Sequence, residues 1–139
     1  MKDRDRGKIR NREWASQIRD FSGLRFGRIT PTDIDGFIDF QDKAFIFIET
    51  KHGTANLPYG QKLALQRLCD ASQAAGKWSL VVVASHETSN DIIVAELPVV
   101  LIRMDGKWRK PNTPQTVRSA IDGFLSWCEM QDEPIFTKR

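Results

Sequence analysis

Two carboxylates and a lysine stand at a spacing that suits chemistry on phosphate. Thr32-Asp33-Ile34-Asp35-Gly36-Phe37-Ile38-Asp39-Phe40 and Ala44-Phe45-Ile46-Phe47-Ile48-Glu49-Thr50-Lys51 are both β-patterned runs. They flank a short polar turn, Gln41-Asp42-Lys43, and so predict a hairpin. A turn centred on Asp42 sets residues whose numbers sum to 84 opposite each other. Asp35 then faces Glu49, and Asp33 faces Lys51. Side chains alternate along a strand, so all four share one face. Hard oxygen donors beside a cation are what a divalent metal ion acting on a phosphate needs.

The competing reading is a solvated hairpin end, where Asp, Glu and Lys only keep the surface wet. Ala44 to Ile48 is an unbroken apolar run, as in a strand buried on both sides, and Glu49 continues directly from it. A carboxylate at the end of a core strand must be paired or bound to metal, because leaving it desolvated and alone is costly.

Asp35, a gap of hairpin length and then Glu49-Thr50-Lys51 resemble the signature of the PD-(D/E)XK nuclease superfamily. That superfamily includes type II restriction enzymes, archaeal Holliday-junction resolvases, and phage and RecB-type nucleases. The resemblance covers roughly residues 8–100, with a helix before the hairpin and an amphipathic helix after it. It implies an α/β fold: a three-layer α/β/α restriction-endonuclease-like core with a mixed central β-sheet flanked by helices. It implies Mg²⁺ (or Mn²⁺) held by Asp35, Glu49 and the backbone carbonyl of Thr50. Glu13 resembles the first-helix glutamate that adds a ligand in several branches; a helix-surface carboxylate favouring the dipole is the alternative. Asp33 is the substitute for Asp35 should the register shift, or else a cross-strand partner of Lys51. Lys51 would stabilise charge at the phosphate or take a proton, the second role requiring a lowered pKa. Gln61 resembles the glutamine of RecB-like and phage members that contacts the site or the phosphate, against a solvated helix start.

The elements that must position these residues follow from the rest of the chain. Asn11 can cap a helix over 12–21, with Trp14, Ile18 and Phe21 as one stripe. Gly23, Gly27 and Pro31 break the chain before the hairpin, and a loop spans 52–60. A helix is expected from 59 or 60 to 75, with Leu65, Leu68 and Cys69 buried and Gly76 as its stop. The clearest strand is 78–85, centred on Leu80-Val81-Val82-Val83, and a helical crossover would lay it parallel to the Glu49 strand. Short strands are expected over 91–96 and 99–104. Asp105-Gly106 then turns the chain back through Lys107-Trp108-Arg109. Asn112 or Thr113 with Pro114 opens a last helix to about Met130.

Composition narrows the class. At 139 residues with 40% apolar and 28% charged residues, the chain reads as one domain spanning 1–139, with a flexible basic arm at 1–7 and a tail at 131–139. No apolar run approaches a membrane span and no signal peptide opens the sequence, so no membrane partner is expected, and a cytoplasmic location in a bacterium or phage-infected host is. Cys69 and Cys128 read as free core thiols. Residues 1–28 carry nine basic and four acidic side chains, a net +5, against −2 for the remaining 111. A basic arm beside an acidic centre suits DNA, with Lys8, Arg10, Arg12, Tyr59 and Lys62 as candidate contacts. Trp108 could stack on a base, although strand packing is the better reading. His52 and His86 are the only histidines, which leaves little support for a His-based nuclease or zinc hydrolase.

The expected function is a metal-dependent deoxyribonuclease hydrolysing phosphodiester bonds in DNA recombination, repair or phage DNA processing, directed to junctions, ends or structures. The alternative is a catalytically silent nucleic-acid-binding module of the same fold. Many small relatives cut two strands as dimers, so a homodimer is a further expectation of the resemblance.

Overall fold

The computed structural model describes residue 17 and residues 20–88 and 90–131. Most of the helix expected over 12–21 lies outside them, as do Glu13, Lys8, Arg10, Arg12, the arm at 1–7 and the tail beyond residue 131. The chain divides into two compact units, Met1–Thr32 and Asp33–Arg139.

In the first unit Asp20 and Phe21 are not helical. The Asp20 carboxylate accepts from the backbone N–H and hydroxyl of Ser22 (2.9 and 2.6 Å), local bonds that compete with helical hydrogen bonding at these residues. A 3-10 turn follows at Ser22–Leu24. Phe26 and Ile29 then exchange backbone hydrogen bonds of 2.8 and 3.0 Å around Gly27, whose φ of 66° suits a residue without Cβ.

The second unit is mixed α/β. Its elements are β1 (Gly36–Phe40), β2 (Ala44–His52), α1 (Tyr59–Ala74), β3 (Trp78–His86), β4 (Val99–Met104), β5 (Lys107–Arg109) and α2 (Val117–Gln131). These five strands form one sheet in the order β1-β2-β3-β4-β5. Of its neighbouring pairs β2 and β3 run parallel, joined through α1 as a helical crossover requires, and the others are antiparallel.

The hairpin has the expected register, from Gly36↔Ile48 to Phe40↔Ala44. Gln41 and Asp42 adopt left-handed φ of 54° and 59°. The turn is held from three sides: Asp39 accepts from the Asp42 N–H (2.8 Å), Lys43 N–H donates to Phe40 (2.9 Å), and Lys77 pairs with Asp42 (2.6 Å). At the end of α1, Gly76 (φ 93°) lets its own N–H reach Gln73 and that of Lys77 reach Ser72, both at 3.0 Å, a Schellman stop.

Alternation along the central strands separates two cores. Ala44, Ile46, Leu80, Val82 and Ala84 pack with Val117, Ile121, Phe124 and Cys128 of α2. Phe47, Val81 and Val83 pack with Leu65 and Cys69 of α1. Leu68, expected in the α1 stripe, is instead 40% exposed. Trp78 packs edge-to-face on Trp127, and Trp108 donates from Nε1 to Gln66 (3.0 Å) while packing on the α1-side core. Both cysteines are buried thiols, with burial pushing Cys69 up to about 11 and Cys128 to about 12.

Two further expectations are corrected. The strand expected over 91–96 is loop ending in a 3-10 turn at Val94–Glu96, where Glu96 and Leu97 N–H groups bond back to Ile93 and Val94. Those local bonds precede Pro98, which has no N–H for a ladder. The last helix starts at Val117, because Thr116 and Ser119 cap each other reciprocally (3.1 and 3.0 Å). Among the described residues no helix is long and apolar enough to cross a membrane.

Candidate metal centre at the end of β2

Glu49 continues the inward face of β2 beyond the apolar run. It sits on the α1 side of the sheet, in register with Val83 of β3, and is 3% exposed. Its Oε2 is buried and, among the described residues, has no hydrogen-bond partner. Burial, first, pushes its carboxyl up to about 8; Asp35, close enough to share a proton with it, raises it further, the Gln61 side chain opposes the shift, and the charge of Asp33 adds a smaller push upward. The predicted convergence of Asp35 on Glu49 is therefore present, with Gln61 at the start of α1 beside it. Asp33 acts on Glu49 only through its charge.

Asp35 lies just before β1, exposed, where the β1–β2 ladder has ended. Its Oδ2 accepts from both the N–H and the hydroxyl of Thr50, each at 2.8 Å. In a strand the N–H and C=O of one residue point to the same side. The Thr50 carbonyl therefore faces the Asp35 side too, past the last rung of the ladder. Asp35, Glu49 and the Thr50 carbonyl thus offer hard oxygen donors at one strand end, a chemistry suited to Mg²⁺ or Mn²⁺. The orphaned Glu49 oxygen fits such an ion, since a buried carboxylate without a counter-charge is otherwise costly. Among the described residues no group of three or more His, Cys, Asp or Glu side chains converges for a metal. The donor set here is two carboxylates and a backbone oxygen.

Lys51 does not pair with Asp33 as the hairpin register suggested, nor, among the described residues, does an ion pair join it to Asp35 or Glu49. β1 begins at Gly36, so no strand holds Asp33 opposite Lys51. The Lys51 ammonium instead donates to the Gly53 carbonyl (3.1 Å), which also accepts from Ser85 Oγ (2.9 Å). Gly53 and Ser85 escape notice in the sequence, because only the parallel register, Lys51↔Ser85, brings them together.

Tyr59, the first residue of α1, is 79% exposed. Lys62 holds its ammonium 5.3 Å from the centre of the Trp108 ring. His52 and His86 meet edge-to-face across the ends of β2 and β3, 5.2 Å between centroids, and the His86 Nδ1 faces the Thr88 carbonyl at 3.1 Å. The site thus has a buried floor at Glu49 and an exposed carboxylate at Asp35, while Tyr59 lies exposed on α1 two residues before Gln61. Comparisons with protein-family models, curated proteins and solved structures find no match for this chain.

Proposed function

We propose that the chain is a metal-dependent deoxyribonuclease built on a three-layer, restriction-endonuclease-like core. The observation that carries this reading is the Glu49 carboxylate: buried at the end of a core strand, with one oxygen unpartnered among the described residues, against a second carboxylate on Asp35. A purely nucleic-acid-binding module has no use for two acidic groups forced together where phosphate would lie. Their mutual repulsion and desolvation are offset when a divalent cation binds.

Asp35, Glu49 and the Thr50 carbonyl would hold the ion. Bound there, it would supply Lewis-acid stabilisation of the charge that develops on a phosphodiester. Thr50 orients Asp35 through two hydrogen bonds, which leaves Oδ1 for the ion. Gln61 steadies the Glu49 carboxylate from the helix side. Lys51, two residues beyond Glu49 on the same strand, brings a cation to the phosphate as an electrostatic stabiliser. The exposed side of the site suits a polymer lying across the strand ends, which Tyr59, exposed at the start of α1, would contact.

The test is incubation of supercoiled and branched DNA with Mg²⁺, Mn²⁺ or EDTA. Cleavage should require the metal, and Glu49→Gln should lower its rate by at least ~10²-fold, the scale on which one transition-state charge contact acts. No metal-dependent cleavage of any DNA form, with DNA binding retained, would leave a silent binding module as the answer.

A further inference from the structure

Resting on the nuclease reading, we propose that Ser85 is a positioning residue for Lys51, acting through the carbonyl of Gly53. Ser85 lies on β3, in parallel register with Lys51, so both side chains leave the sheet on the α1 side about one strand spacing apart. Each reaches over the end of the sheet to the same oxygen: Ser85 Oγ at 2.9 Å and Lys51 Nζ at 3.1 Å from the Gly53 carbonyl.

That carbonyl is fixed independently of the lysine. The Gly53 N–H donates to the His86 carbonyl at 2.7 Å, extending the β2–β3 contact by one residue. The φ of Gly53 is +59°, a left-handed conformation that a side chain at this position would strain. Glycine turns the carbonyl back toward the strand end, the His86 contact pins its amide, and the Ser85 hydroxyl holds the oxygen itself. The Lys51 chain has several rotatable bonds and substantial rotamer entropy, so a fixed acceptor is what gives its ammonium one position at the end of the β2–β3 pair. Without Ser85 the oxygen is free to turn to water and the lysine loses its anchor.

Two measurements on the full chain distinguish Lys51 positioning from nuclease activity: single-turnover DNA cleavage, and acylation of Lys51 by an amine-reactive ester in metal-free protein, followed by mass spectrometry. Ser85→Ala should slow the single-turnover step by about tenfold with the DNA dissociation constant unchanged, as expected for misplacement of a charge while DNA binding stays intact. It should also speed Lys51 acylation by about threefold, the order of population shift that removal of one hydrogen bond allows. Ser85→Thr, which keeps the hydroxyl, should restore both. Gly53→Ala, which strains the same carbonyl, should move both in the direction of Ser85→Ala. Wild-type cleavage or wild-type Lys51 labelling in Ser85→Ala overturns the proposal. Should the wild type cleave no DNA, the nuclease reading falls, and the labelling alone decides whether Ser85 holds Lys51.

Discussion

Glu49 is both the core of the candidate site and a liability to the folded state when no cation is present. Its carboxyl is pushed up to about 8, while an unfolded chain would release the same proton near 4.5. Between these values the native state binds a proton that the unfolded state has released. The stabilisation is complete below the unfolded value and disappears as pH rises through the folded one, with a limiting slope of about 1.4 kcal/mol per pH unit. In EDTA, wild-type stability measured by urea unfolding should therefore fall between pH about 5 and about 8 relative to Glu49→Gln, whose profile in that window should be flatter. Parallel profiles for the two proteins would show that Glu49 does not carry this proton. The meeting of Asp35 and Glu49 was legible in the sequence because a three-residue turn fixes a hairpin's register. The anchoring of Lys51 was not, because nothing in the local pattern states which β3 residue lies beside it.

Among the elements, those bounded by strong local signals were the readable ones. Gly76 ends α1 through a Schellman stop, and the apolar run of β3 is buried on both faces, from Ser79 to Ala84. The segment 91–96 misled because an apolar run, Ile92-Ile93-Val94, precedes a proline whose local turn overrides strand propensity. The start of α2 depended on a Thr116–Ser119 capping pair, a weaker signal than Pro114. One tie between α1 and β4 could not be read at all, since it is a tertiary ion pair. Arg103, 6% exposed, makes a bidentate contact with Asp70 of α1 at 2.9 and 2.7 Å. Asp70→Ala would leave the guanidinium buried and unpaired. Because Asp70 is itself partly exposed, the expected loss is about 1.5–3 kcal/mol, below the full value for a buried pair. The double variant Asp70→Ala with Arg103→Met should be more stable than Asp70→Ala alone, and urea unfolding of the two proteins would reveal the opposite order if the pair is only ornamental.

For the molecule as a whole, charge is distributed unevenly: residues 1–28 are net positive and the remainder slightly negative. If the net-positive segment 1–28 meets DNA phosphates, replacing Lys8, Arg10 and Arg12 together by Gln should weaken binding across all sequences. The slope of log K against log salt should become shallower by ~0.9 for each phosphate that these side chains no longer neutralise. An unchanged slope would assign DNA binding to other residues. The mixed sheet, its parallel β2–β3 pair and its helical crossover followed from the order of elements. The boundary between the two units, at Thr32, falls directly after Pro31, the last of the chain breakers that precede the hairpin.

The parallel pairing of β2 with β3 has a consequence in time as well as in space. Partners keep a constant offset of 34 residues, from Ala44↔Trp78 to His52↔His86. A hairpin closes in microseconds, whereas a pairing across such a separation waits for the intervening chain to be ordered. During synthesis, Asp35 and Glu49 can therefore be brought opposite each other while still bathed in water and repelling only weakly. The desolvated floor of Glu49 and the anchor of Lys51 arrive together, when β3 docks and supplies Val83 and Ser85. A growing chain thus carries a pair of ordinary, hydrated carboxylates until residue 86 has emerged, and the buried arrangement around Glu49 comes into being with β3.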